Sequence, residues 1–312
     1  MELLGKYKNG NANITIFSDG TRICQTEDDD FNYEFPLNID VTITTKCDGG
    51  CKWCYMNCNE DGVHANLDQE WVDTIHPYTE VALNGNDLSH PGLSDFLVKL
   101  KKKNVIANIT VNQRHFMQHV NLLHILVDND LIKGLGISLV NPTEEFITQV
   151  KRFPNAIIHV INGILRPSDV EAMSNHGLKI LILGYKKLRR GEDWYYEDHE
   201  NIVVKQMWLS ENIKDMLTKF KVVSFDNLAL KQLPIVKALL TEDEWNEFYS
   251  GDDGTCSMFV DMVNKTFSRS STTQLETQRP IMNDLDEMFR IVKSDVMEEV
   301  WIVQNVIEQW KL

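Results

Sequence analysis

The sequence predicts an α/β fold: a curved parallel sheet of about six β-α units, closed or partly closed, with an N-terminal β-hairpin before it and an α+β extension after it. Three observations predict this. From Leu37 to Tyr185, short β-branched runs alternate with amphipathic segments, which is the pattern of repeated β-α units and a parallel sheet. The segment ends carry capping residues and glycines. At 312 residues, the chain is long enough to bury one large α/β core with an appendage, or two domains.

In chain order, Asn13–Phe17 and Arg22–Cys24 read as a hairpin around the turn Ser18–Thr21. The acidic run Glu27–Asp30 then reads as a solvated linker. The strand candidates are Ile39–Thr44, Glu80–Leu83, Val105–Val111, Gly136–Val140, Ala156–Ile161 and Lys179–Leu183. Helix candidates near Asp68–His76, Leu93–Lys103, His115–Asn129, Thr143–Phe153 and Asp169–Asn175 lie between them. Ser168-Asp-Val-Glu171 has capping-box spacing after Pro167, and Gly177 suits a helix C-terminus. A boundary is expected near Asn201–Gln206. It divides the chain into 1–33 (hairpin and linker), 34–205 (sheet core) and 206–312 (extension). In the extension, helices are expected over Ser210–Phe220, from Leu239 into Tyr249 with Thr241–Glu244 as a capping box, and from about Asn283 to Trp310. A strand is expected at Lys221–Phe225, and a second hairpin runs Met258–Val263, Thr266–Ser270.

With 31 basic and 46 acidic residues the formal charge is −15, and 43% of residues are hydrophobic. This excludes disorder of the whole chain and argues against broad nucleic-acid coating, while leaving room for a local basic cleft. No stretch approaches the roughly 18 apolar residues of a spanning helix, and the first residues lack the apolar core of a secretion signal. A soluble cytoplasmic protein without a membrane partner is expected. Of the six cysteines, Cys24 and Cys256 stand alone and read as small buried hydrophobes. Cys47, Cys51, Cys54 and Cys58 fall within twelve residues, and such clustering points to metal rather than to a disulfide framework.

Directly after the strand ending at Thr44 the chain reads Thr45-Lys-Cys47-Asp-Gly-Gly-Cys51-Lys-Trp-Cys54-Tyr55. Three thiolates on one loop can bind three irons of a cubane and leave the fourth open, with Gly49 and Gly50 freeing the backbone for the wrap. This Cys-x3-Cys-x2-Cys loop, with Trp53 before its last cysteine, resembles the signature of the radical S-adenosylmethionine (radical SAM) superfamily. The resemblance covers about residues 37–190. It implies a partial (β/α)6 TIM-like barrel and one 4Fe-4S cluster on Cys47, Cys51 and Cys54. It also implies S-adenosylmethionine chelating the open iron, and reductive cleavage to a 5'-deoxyadenosyl radical that abstracts hydrogen from a substrate. An external one-electron reductant of the flavodoxin or ferredoxin type follows from it.

The same resemblance assigns cofactor contacts at successive strand ends. Asn84, Gly85 and Asn86 stand where the family often has Gly-Gly-Glu-Pro, with Asp87 as the available carboxylate. Ser138 resembles the ribose contact, Asn162 and Gly163 the adenine-side strand, and Tyr185 ends the sixth strand. Trp53 is compatible with shielding the adenine. The residues alone also allow a structural zinc site, with Cys58 or His64 as fourth ligand. They allow as well an electron carrier in which Cys58 closes the cubane.

The hairpin Cys256–Ser270 weakly resembles a SPASM-type extension, but with one cysteine there it can hold no auxiliary cluster. Lys186, Lys187, Arg189 and Arg190, followed by Trp194, Tyr195 and Tyr196, suit a phosphate-bearing substrate whose base stacks, although a solvated loop explains them equally well. The whole chain resembles compact bacteriophage radical SAM proteins, some acting in thymidine hypermodification. That likeness implies an isomerase acting on an amino-acid adduct such as glycyl-thymidine, in DNA or a modified nucleotide, in the host cytoplasm. Peptide or small-metabolite substrates are the alternatives.

Overall fold

The computed structural model describes residues 2–296. The N-terminal segment forms a three-stranded antiparallel sheet of β1 (Leu3–Asn9), β2 (Ala12–Phe17) and β3 (Arg22–Gln25). The expected hairpin is thus β2 and β3, and β1 is an added strand paired to β2. Next come β4 (Asn38–Thr42), β5 (Glu80–Asn84), α1 (Leu93–Lys102), β6 (Ile106–Asn112), α2 (Gln113–Gln118), α3 (Val120–Asp128) and β7 (Gly134–Ser138). The series continues with α4 (Glu144–Val150), β8 (Ala156–Ile161), α5 (Pro167–Met173) and β9 (Lys179–Leu183). The helix expected at 68–76 is only a 3-10 turn, Glu70–Thr74. The helix expected at 115–129 is broken at His119. Pro167 opens α5, and the Asp169 carboxylate accepts the Arg166 N–H at 3.0 Å, so the capping pair lies two residues before the Ser168–Glu171 expectation.

The break expected near 201–206 lies inside a continuous helix. After α6 (Arg190–Glu197), α7 runs from His199 to Lys219. It buries Ile202, Leu209, Ile213 and Met216 while exposing Val204 and Met207, so no clean apolar stripe marks its first turns in the sequence. The following strand β10 (Val222–Phe225) pairs in parallel with β9 as the seventh strand of the series. Then come α8 (Asn227–Gln232), α9 (Ile235–Ala238) and α10 (Glu242–Phe248), the last opened by the expected Thr241–Glu244 capping box. The second hairpin, β11 (Ser257–Asp261) and β12 (Thr266–Ser268), is extended by β13 (Arg279–Pro280). Rather than standing apart, β11 pairs in parallel with β4. A helix over 285–296 follows; the rest of the helix expected to Trp310 lies outside the described residues.

The ten-stranded sheet has the order β10-β9-β8-β7-β6-β5-β4-β11-β12-β13. From β12 to β9 is seven strand steps, about 34 Å if flat at ~4.8 Å per step. Yet the Lys186 ammonium, just past β9, donates to the Ser271 hydroxyl, just past β12, at 2.8 Å. Asn227, past β10, donates to the Asp253 carboxylate, ahead of β11, at 2.8 Å. The sheet therefore curls until its flanks meet, although among the described residues no strand pair closes it.

Outward side chains such as Ile39, Val41, Leu83, Ile109, Ile137, Ile158 and Ile182 are buried in one core with Phe96 and Leu97 of α1, Phe116 of α2, Phe146 of α4 and Ile213 of α7. The N-terminal sheet seals one end of the curl. Arg22 donates to Asn38 Oδ1 at 2.8 Å and pairs with Glu80 at 3.2 Å, and Asn108 also donates to Glu80. Among the described residues, no helix is long and apolar enough to cross a membrane.

Candidate functional site

The inward face of the curl is polar and open to solvent. Because strand side chains alternate, Asp40 of β4, Asn84 of β5, Thr110 and Asn112 of β6, Ser138 of β7, His159 of β8 and Ser224 of β10 all point inward and are half-buried or exposed. The C-terminal ends of the parallel strands share one rim, and the cysteine loop rises from that rim after β4.

That loop is tied back on itself. Thr45 N–H donates to Val63 O at 3.0 Å, Cys47 N–H to Asn59 O at 2.7 Å, Asn59 N–H to Thr45 O at 3.1 Å and Ala65 N–H to Ile43 O at 2.9 Å. Gly50 takes φ 62°, a conformation that glycine adopts without penalty. A Cβ at Gly49 would stand 3.0 Å from Cys47 Sγ and 3.8 Å from Cys51 Sγ, so glycine there leaves room for both sulphurs. The Gly49 N–H donates to Cys47 Sγ at 3.2 Å, and Asn112 Nδ2, at the end of β6, donates to Cys51 Sγ at 3.7 Å. Both donors favour thiolate sulphur.

Burial pushes the Cys47 and Cys51 thiols up, while the hydrogen bond from Cys58 pulls Cys54 down to about 5. The same contact drives Cys58 upward, making buried Cys58 the protonated donor and Cys54 the thiolate. Beside them, His115 Nε2 and Asp48 Oδ1 are 2.6 Å apart, which holds the Asp48 carboxyl below its usual range. The ligand atoms of Cys47, Asp48 and His115 lie within 4.8 Å of one another.

The loop after β9 grips the cysteine loop from the other side. Arg189 Nη1 donates to Tyr55 O at 2.8 Å, and Arg190 Nη2 donates to Cys58 O. Arg190 also lowers the thiols of Cys51 and Cys54 through its charge. A Cβ at Gly191 would meet the Trp53 carbonyl at 3.4 Å. Lys186 sits 4.0 Å over the Tyr55 ring and exposed Lys187 3.5 Å over Tyr195. Two of the four cations read as a substrate mouth are thus engaged with cysteine-loop backbone. Lys52, within the cysteine loop, stands 4.2 Å over Trp194.

The remaining sequence-predicted contacts divide into two groups. Half-buried Trp53, Asn84, Gly85 and Ser138 stand at the rim. Asn84 Oδ1 accepts from Thr42 at 2.8 Å, and Gly85 has φ 117° with a would-be Cβ 2.9 Å from Thr44 O. Asn86 is buried, and its carbonyl accepts from the Ser89 N–H at 2.9 Å and the Ser89 hydroxyl at 2.7 Å. Asp87 is fully buried; burial raises its pKa well above the usual value, against the opposing pull of the Thr110 backbone N–H. Asn162 and Tyr185 are 1% and 2% exposed. Both bond Gln232, and the Tyr185 hydroxyl donates to Gly191 O at 2.8 Å. Gly163, at φ 96°, packs on Ile202. Asn162 and Tyr185, joined through Gln232, brace the loop carrying Arg189 and Arg190.

Sequence reasoning missed Asp48, Asn112, His115, Asp40 and His159. The last two were visible as polar residues interrupting apolar strands.

No family model matches the chain, and no curated protein matches it. Among solved structures it is similar to Streptococcus suis SuiB bound to S-adenosylmethionine, with a TM-score of 0.52 and 13% sequence identity over 80% of this chain. The match spans 64% of the SuiB chain. At that identity the likeness is one of fold: the chain shares with that protein a mixed α/β architecture built on a large parallel sheet.

Proposed function

We propose that the chain is a radical SAM enzyme holding one 4Fe-4S cluster on Cys47, Cys51 and Cys54 and binding S-adenosylmethionine at the strand-end rim. The observation that carries this reading is the loop itself: three thiols, with glycine backbone between the first two, at the C-terminal end of the first strand in a parallel β-α series. The donor set fits the group. The Cys47 and Cys51 sulphurs accept N–H···S contacts from Gly49 and Asn112, and a cubane's three cysteines each bind a different iron. When bound, the cluster and cofactor would supply a reductively generated 5'-deoxyadenosyl radical. The chain's own residues position: Arg189 and Arg190 hold the loop, Cys58 donates to Cys54, and Trp53, Asn84, Gly85 and Ser138 offer polar and aromatic contacts at the rim. An external flavodoxin- or ferredoxin-type reductant completes the scheme.

For the substrate we propose a modified thymidine or other nucleobase, with isomerisation of an amino-acid adduct such as glycyl-thymidine in phage DNA as the reaction. Exposed Tyr196 and the Lys187–Tyr195 pair support a stacking base beside a local cation. A second reading, a zinc protein, is favoured by the Cys47, Asp48 and His115 trio, since one ion takes thiolate, carboxylate and imidazole together. Metal and sulphide analysis of anaerobically reconstituted protein separates them. Iron with matching acid-labile sulphide supports the cluster; zinc without sulphide overturns it.

A further inference from the structure

The inward polar groups fall into two tiers. At the sealed end they satisfy one another: Arg22, Asn38, Glu80 and Asn108 form a bonded set, and Asn108 Oδ1 also accepts from the Gly134 N–H at 2.6 Å. One tier higher the pattern changes. Asp40, in the middle of β4, has no hydrogen-bond or ion-pair partner among the described residues, and neither has His159 of β8. The Lys186 ammonium is the nearby cation, but it bonds Ser271 and lies over Tyr55, while Asp226 is spent accepting from the N–H groups of Gly184 and Ala229.

Asp40 stands in register between Ala82, which is small, and the buried Phe259, and Gly136 lacks the Cβ that would come within 2.4 Å of the His159 ring, so that the ring lies against its backbone. Asp40 is solvent-exposed although it sits mid-strand inside the curl, which places its carboxylate on the wall of a concavity. The surrounding protein raises its pKa to about 6 and lowers that of His159 to about 4, desolvation leading in both. At neutral pH the tier therefore offers an anion without a hydrogen-bond partner among the described residues and a neutral imidazole, both within the field of the Lys186 charge.

We propose that Asp40 is a specificity-determining residue that pairs with a protonated amine on the substrate, so that the substrate class is an amine-bearing one. The inference rests on the enzyme reading above and deepens it. A carboxylate on the wall of a concavity, with no hydrogen-bond partner among the described residues, is open to a substrate, and a substrate ammonium gives it a charge-assisted partner. His159 is then placed to hydrogen-bond an uncharged polar part of the same molecule.

The test compares direct binding of 5-aminomethyl-2'-deoxyuridine and 5-hydroxymethyl-2'-deoxyuridine to the full chain by calorimetry near neutral pH. The two probes differ only in amine against hydroxyl. The amine should bind about tenfold tighter or more, the scale of one charge-assisted hydrogen bond. Asp40→Asn should abolish the preference, and Asp40→Glu, which keeps the charge, should retain part of it. Equal binding of the probes, binding of neither, or a preference that survives Asp40→Asn overturns the proposal. Should Asp40→Asn fail to fold, the Asp40→Glu result and the two wild-type affinities decide. Iron content and SAM cleavage of the wild type separate the two readings. An iron-replete, SAM-cleaving protein without the amine preference sinks this inference alone, and an iron-free protein with the preference sinks only the enzyme reading.

Discussion

Gly62 offers a perturbation whose size follows from the close approach of two backbone arms. A Cβ built there falls 2.1 Å from the Thr45 carbonyl oxygen, 2.3 Å from its carbon and 2.6 Å from Lys46 N, where ordinary contact begins at 3.4 Å. All three are backbone atoms, so no rotamer change can make room, and Gly62→Ala must separate the two arms of the loop by about 1 Å. The arms are joined by the bonds from Cys47 N–H to Asn59 O and from Asn59 N–H to Thr45 O, so the displacement falls on the backbone that sets Cys47. Overpacking of this kind costs about 1–3 kcal/mol. That corresponds to a fall in Tm of about 2–12 °C, at about 2–4 °C per kcal/mol for domains a little smaller than this chain. The assay is twofold: thermal unfolding of the metal-free chain, and iron per chain after anaerobic reconstitution. The variant should unfold earlier and retain a fraction of the wild-type iron. Full iron with an unchanged Tm would refute the reasoning, since it would mean that the position of Cys47 does not depend on this close approach.

Further predictions follow from the same contacts. Arg190→Ala removes the donor to Cys58 O and a positive charge beside Cys51 and Cys54, so the cluster should be lost faster to a chelator; Arg190→Lys should restore part of the retention. Cys58→Ser should keep most of its iron because the hydroxyl can still donate to Cys54, whereas Cys54→Ser should not. His159 is depressed to about 4 from an ordinary 6.5. It therefore contributes stability that is fully present above about 6.5 and lost as pH falls through about 4; urea unfolding of His159→Gln should show a flatter acid limb. Asp40, raised to about 6, acts with the opposite sign: its contribution is present below the ordinary carboxylate pKa and lost as pH rises through about 6. Asp40→Asn should remove that loss in the same urea series.

Local pattern revealed the elements, and distance in sequence hid their partners. The strands Ala156–Ile161 and Lys179–Leu183 stand where β-branched and leucine runs predicted them, because buried parallel strands read as apolar runs. β1 was missed because Lys6-Tyr-Lys-Asn9 shows no apolar alternation. The segment 221–225 was legible as a strand and 258–270 as a hairpin, but their parallel pairing with β9 and β4 is a tertiary fact no local window contains. In the site, the cysteine spacing is local and was readable. The Arg190 contact joins residues 132 positions apart and was not. Asp40 and His159 become meaningful only once the inward face of the sheet is known to be open, since the same polar residues on a filled core would simply pair.

The central claim is tested most directly by anaerobic reconstitution with iron and sulphide, followed by incubation with S-adenosylmethionine and a strong reductant and chromatographic detection of 5'-deoxyadenosine. The account predicts cluster absorbance and reductant-dependent 5'-deoxyadenosine from the wild type, with both absent in Cys51→Ala. Wild-type protein that forms no cluster, or forms one yet yields no 5'-deoxyadenosine, would contradict it.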